Sequence, residues 1–142
     1  MTQVDFYHGA QDKLVAACQL IGEFFREGRK VIVYAPEPGV AARVDRVLWT
    51  QPAIAFVPHC RSDSPLAGET PIVITADLDA TPFDEVLVNL DGDLPPGFAR
   101  FQRLIEVVGP DEADRAPART RYRFYRDRGY PLQTHEFPLV RT

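Results

Sequence analysis

Apolar residues recur along this chain at two spacings, one helical and one continuous. Over residues 12–27, Leu14, Ala17, Cys18, Ile21, Phe24 and Phe25 fall three and four positions apart, which places them on one face of a helix that Gly28 closes. Cys18 lies on that face as a small core residue. Val31-Ile32-Val33-Tyr34-Ala35 then runs without a polar break between Lys30 and Pro36, the pattern of a strand covered on both sides. Helical spacing returns over 39–49, with Val40, Val44, Val47 and Leu48 inward and Pro52 as the stop. Residues 4–7 open the chain as a short strand, 72–75 and 86–89 are further apolar runs, and 105–108 is another strand. A polar loop is expected over 61–70, a helix over 98–104 after the stiff Leu94-Pro95-Pro96-Gly97 turn, and a last segment over 134–137. Strand–helix alternation in the first half predicts an α/β layer with a mostly parallel sheet.

Charge is distributed unevenly over this pattern. Residues 115–134 hold Arg115, Arg119, Arg121, Arg123, Arg126 and Arg128 against Asp127 alone, a local balance of +5; the whole chain is −4, which leaves −9 for the rest. Pro117 is tolerated in a first helical turn, and Gly129 followed by Pro131 is a stop, so a helix is expected over about 117–128. On it Ala118, Tyr122 and Tyr125 share one face, Arg119, Arg123 and Arg126 flank them, and Arg121 and Arg128 point elsewhere. Guanidinium groups beside a tyrosine suit a carboxylate joined to something apolar. The same residues also fit plain core packing with a solvated face, or a grip on phosphates and bases.

Other chemistry finds little support. No uninterrupted apolar run reaches the ~20 residues of a membrane span, and the N-terminus lacks the basic and apolar regions of a secretory signal, so a cytoplasmic protein is expected. The two cysteines and the three histidines, His8, His59 and His135, show no metal-type spacing. Neither a G-x-G-x-x-G nor a Walker loop is present, and Glu37-Pro38-Gly39 holds too little glycine to cradle phosphate. Asp77-Leu78-Asp79-Ala80-Thr81 resembles the phosphoacceptor loop of haloacid-dehalogenase-type phosphotransferases. Such a site needs a lysine downstream, whereas Lys13 and Lys30, the chain's lysines, both lie upstream. No catalytic set, cofactor site or metal site is expected.

Four patches, in order, carry a resemblance: Phe6-Tyr7; Leu48-Trp49 with Pro52 and Phe56-Val57-Pro58-His59; Val86-Leu87-Val88-Asn89-Leu90; and the run from Arg119 to Thr134. Together they span almost the whole chain and resemble the chi subunits of bacterial DNA polymerase III. The L-W…P…F-V-P-H segment is the most specific part. The resemblance implies a single three-layer α/β/α domain, Rossmann-like without a nucleotide-binding loop. It further implies a non-catalytic adaptor of the clamp loader, forming a heterodimer with the psi subunit and holding the acidic C-terminal tail of single-stranded-DNA-binding protein. DNA would be met only indirectly. The tail would fall on Arg115, Arg119, Tyr122, Arg123 and Arg126 with Thr134 nearby, and psi on Trp49, Phe56, Val57 and Pro58. Asp111, Glu112 and Asp114 beside such a pocket would weaken it unless they point away. The readings from other classes are a phosphotransferase using Asp77 and Asp79, and a direct single-stranded nucleic-acid binder.

Overall fold

The computed structural model describes residues 1–50, 57–79 and 81–137. Seven strands form one sheet: β1 (Gln3–His8), β2 (Val31–Tyr34), β3 (His59–Arg61), β4 (Ile72–Thr75), β5 (Val86–Asn89), β6 (Arg103–Val107) and β7 (Leu132–Glu136). They lie side by side in the order β3-β4-β2-β5-β6-β1-β7, and every pairing is parallel. The expected mostly parallel sheet is thus wholly parallel among the described residues. Parallel neighbours require crossovers, and three of these are helical: α1 (Lys13–Arg26), α2 (Pro38–Thr50) and α3 (Glu112–Asp127).

Side-chain alternation sorts the strands' residues between two cores. Val31, Val33, Ile72, Ile74, Val86, Val88, Ile105 and Val107 pack under α1 and α2. Their neighbours Val4, Phe6, Ile32, Val73, Leu87 and Leu104 face the other way, toward Ala118 and Tyr125 of α3. The result is the three-layer arrangement, with α3 the one α-helix of its layer among the described residues.

Local chemistry sets the helix ends. The Asp12 carboxylate accepts hydrogen bonds from the backbone N–H groups of Leu14 and Val15 at 3.1 and 3.2 Å, capping α1. Glu37 does the same for α2, accepting from Gly39 and Val40 at 2.9 Å each. A Cβ on Gly39 would stand 3.1 Å from that carboxylate, so the Glu37-Pro38-Gly39 stretch is a helix cap built around one close approach. Gly28, at φ +77°, ends α1 in the left-handed region that favours glycine.

Three expectations are corrected. The predicted helix over 98–104 shrinks to one 3₁₀ turn, Phe98–Arg100, because β6 must begin at Arg103 to place Leu104 beside Leu87 and Val4. The polar loop over 61–70 begins inside β3, an edge strand, where Arg61 can reach solvent. The arginine helix starts at Glu112, five residues before Pro117, so the proline sits inside it. Proline removes the bond to the Ala113 carbonyl. Ala113 is exposed, and water can take that acceptor.

Candidate functional site

The inner face of α3 carries more than the apolar stripe. Arg121 is buried there with Ala118 and Tyr125. Its Nε lies 3.2 Å from Oε2 of Glu106, itself fully buried on β6, and its Nη1 donates to the Gly92 carbonyl at 2.6 Å. The Tyr125 hydroxyl donates to the same Glu106 oxygen at 2.6 Å, and Asn89 Nδ2 donates to the other at 3.0 Å. Burial pushes the Glu106 carboxyl above its usual range, while Arg121, Tyr125 and Asn89 pull it back. Burial and the neighbouring Glu106 push the Tyr125 hydroxyl up as well. This network bolts α3 to the sheet. Arg121 was expected to point elsewhere; it points into the fold. Its place on the helical wheel, about 40° beyond Tyr125 and about 60° from Ala118, was the available signal, together with the lone acid in Leu104-Ile105-Glu106-Val107.

With α3 anchored in this way, its outer flank is fixed in orientation. Arg115, Arg119, Tyr122 and Arg126 follow one another at steps of four, three and four residues, a single stripe, with Arg123 alongside. Because the helix begins at Glu112, Arg115 lies inside it, one turn before Arg119. All four arginines are exposed. Tyr122 is half-buried, its ring edge-on to Phe6 with centroids 5.3 Å apart. Phe6 is in register with Thr134 across the β1–β7 pair. Tyr122 on the helix and Thr134 on the strand are therefore both neighbours of Phe6, one by ring contact and one by register, and the arginines share the helix face of Tyr122. Arg128 stands apart, 4.8 Å over the ring of Phe124.

A second surface lies at the far end of the sheet. Trp49, in the last turn of α2, is 66 % exposed, which rules out a core role for it. Its ring stands 4.9 Å from that of His59 on β3. The buried His59 side chain bonds the Val57 carbonyl through Nδ1 at 2.8 Å, while Asp45 Oδ1 lies 3.0 Å from Nε2 without hydrogen-bond geometry. Pro58 is exposed, whereas Val57 is buried and supports this surface from beneath. Phe56 lies outside the described residues.

The family model for the DNA polymerase III chi subunit, HolC, matches residues 1–133. The chain belongs to the chi subunit family. It is 31 % identical over 144 residues to the DNA polymerase III subunit chi of Pseudomonas aeruginosa, covering 99 % of this chain and 100 % of that one. The subunit chi of Haemophilus influenzae is 31 % identical over 122 residues, covering 83 % of each chain. That of Escherichia coli is 27 % identical over 118 residues, covering 82 % of this chain and 80 % of its own.

As a chi subunit the protein is a non-catalytic accessory component of the polymerase III holoenzyme. Asp77 and Asp79 shape their own turn: Asp79 N–H donates to Asp77 Oδ1 at 2.8 Å, and Arg100 ties the loop through the Leu78 carbonyl and Thr81 Oγ1. Among the described residues no group of three or more His, Cys, Asp or Glu side chains could hold a metal ion. None of the described helices is long and apolar enough to cross a membrane.

The acids near the chi stripe divide. Asp114 turns away, 2.7 Å from Lys13 Nζ of α1 and bonded to the Gly109 N–H. Glu112 instead pairs with Arg119, whose guanidinium holds the Glu112 carboxyl below its usual range. Both partners are largely exposed, so the pair contributes little to stability. It does compete for Arg119. Glu112→Gln should therefore tighten binding of an acidic peptide about two- to fivefold without moving the melting temperature, as read by calorimetric titration and thermal unfolding.

Proposed function

We propose that this chi subunit is a replisome adaptor: its α3 stripe holds the acidic C-terminal tail of single-stranded-DNA-binding protein, and its Trp49 surface docks the psi subunit in a heterodimer. It works in the cytoplasm and meets DNA only through these partners. The observation that carries the reading is the stripe itself. Four exposed arginines border a half-buried tyrosine whose ring edge is already packed on Phe6. A peptide ending in an apolar side chain and a free carboxylate matches both halves. The apolar group meets Tyr122, and guanidinium forks take the carboxylate as a planar pair of acceptors.

Arg119→Ala or Arg126→Ala should each weaken a tail peptide by about 1.5–3 kcal/mol, the range for hydrogen bonds to charged groups, and folding should be preserved because both side chains are exposed. Amidating the peptide's C-terminus removes one charge and the bidentate geometry, so affinity should fall at least about tenfold. Equal affinity for the amidated and free peptides would sink the pocket. Tight binding of an oligonucleotide, with a steep loss on adding salt, would instead favour direct contact with single strands.

A further inference from the structure

The arginine stripe lies near a sheet edge with no further strand beyond it among the described residues. Among the described residues β7 is the last strand of the sheet and pairs with β1 alone. At its two ends Pro131 O accepts from Val4 N–H and Phe137 N–H donates to His8 O, both at 2.8 Å. In a parallel ladder these groups alternate, so residues 131, 133, 135 and 137 turn their main-chain groups toward β1. Leu132, Thr134 and Glu136 turn theirs outward. The same three residues share the side-chain face of Val4 and Phe6, which is the face of α3. Thr134, whose N–H and C=O turn outward, is thus the register partner of Phe6, on which Tyr122 packs.

The edge is also held in place. His135 stacks on Tyr7 with centroids 4.5 Å apart and rings 21° from parallel, and its Nε2 lies 2.9 Å from Oδ1 of the buried Asp5. Asp5 is fixed in turn by Arg103 at 3.3 Å. Its five residues, about 16 Å long, form a pre-ordered template.

We propose that the outer edge of β7 is a docking strand: an extended acidic peptide adds to it as an eighth strand, its main chain bonding the outward groups of Leu132, Thr134 and Glu136. The proposal rests on the tail-binding reading and deepens it. Charge complementarity selects the occupant. The stripe of α3 sets four exposed arginines against three acids, Glu112 paired with Arg119, Asp127 paired with Arg126, and Glu136 on β7, so the local balance is still positive on a chain of −4 and favours an acidic strand. Strand addition takes affinity from main-chain bonds and specificity from alternate side chains. It explains why the pocket is assembled from one strand and one helix. The helix reads the charges and the terminal carboxylate, and the strand sets the peptide's direction and register.

The test uses the full chain and a synthetic acidic peptide ending in an apolar residue with a free carboxylate. A series of single backbone N-methylations along the peptide should alternate in effect: about tenfold weaker where the amide faces β7, and within about twofold at the positions between. Amide hydrogen exchange should slow at Leu132, Thr134 and Glu136 on adding the peptide, while Gln133, already bonded to β1, serves as the internal reference. If the unmodified peptide binds but every methylated form stays within about twofold and those three amides exchange as before, the docking strand is wrong and the arginine stripe stands without it. Failure of the unmodified peptide to bind overturns the reading beneath it, and this one with it.

Discussion

Glu106→Leu should lower the unfolding free energy by about 3–5 kcal/mol, the cost of leaving a buried charge without its partner. That is a large share of the ~5–15 kcal/mol that holds a typical domain together. The variant strands the Arg121 guanidinium with only the Gly92 carbonyl, removes the acceptor of the Tyr125 hydroxyl, and leaves Asn89 Nδ2 with the Asp93 carbonyl alone. Exchanging both charges, Glu106→Leu with Arg121→Met, should recover most of the loss, since an apolar pair of similar volume needs no desolvated charge. Urea midpoints of the three proteins measure this. An unchanged midpoint in the single variant would show that the network contributes nothing. Because α3 carries the arginine stripe, peptide affinity should also drop in the single variant and return in the double one.

The second large effect is expected at the opposite end of the sheet. Trp49→Ala should abolish capture of the psi subunit while the melting temperature moves by no more than a few degrees. An exposed tryptophan of this kind supports no core, yet tryptophans are prominent among residues that cost more than ~2 kcal/mol when cut from an interface. Peptide binding at Arg119 and Arg126 should persist, because the two surfaces share no residue. Partner capture at wild-type strength would remove Trp49 from the interface. A fall of ten degrees or more would show that the ring supports His59 from outside.

These two variants mark what a one-dimensional reading could reach. Periodicity located α1, α2 and most strands, because apolar spacing reports directly which face is covered. The exposed arginines with Tyr122 were legible for the same reason. Pairing across the sheet was not: β6 starts where Leu87 and Val4 require it, and that overrode the helical look of residues 98–104. Arg121 was set apart from the Ala118, Tyr122 and Tyr125 face, although its place just beyond Tyr125 on the wheel put it inside. Its partner Glu106 stands fifteen residues upstream on another element. The start of α3 was misread because Pro117 was treated as a first-turn signal, while exposed Ala113 could leave its carbonyl to water. Thr134 came from resemblance alone, and its place beside Phe6 needed the β1–β7 register.

The strand order also governs how this chain can fold as it is made. β1 leaves the ribosome first, yet its neighbours in the sheet begin at Arg103 and Leu132, about 100 and 130 residues later. Strands β2 to β5 can assemble among themselves earlier, with α1 and α2 laid over them. Val4 and Phe6 must wait, uncovered, for α3 and β7. A nascent chain halted before Leu132 therefore presents an apolar strand with a free edge, the kind of segment that chaperones hold and proteases cut. Of the described elements, α3 and β7, at the arginine stripe, are the last to be made.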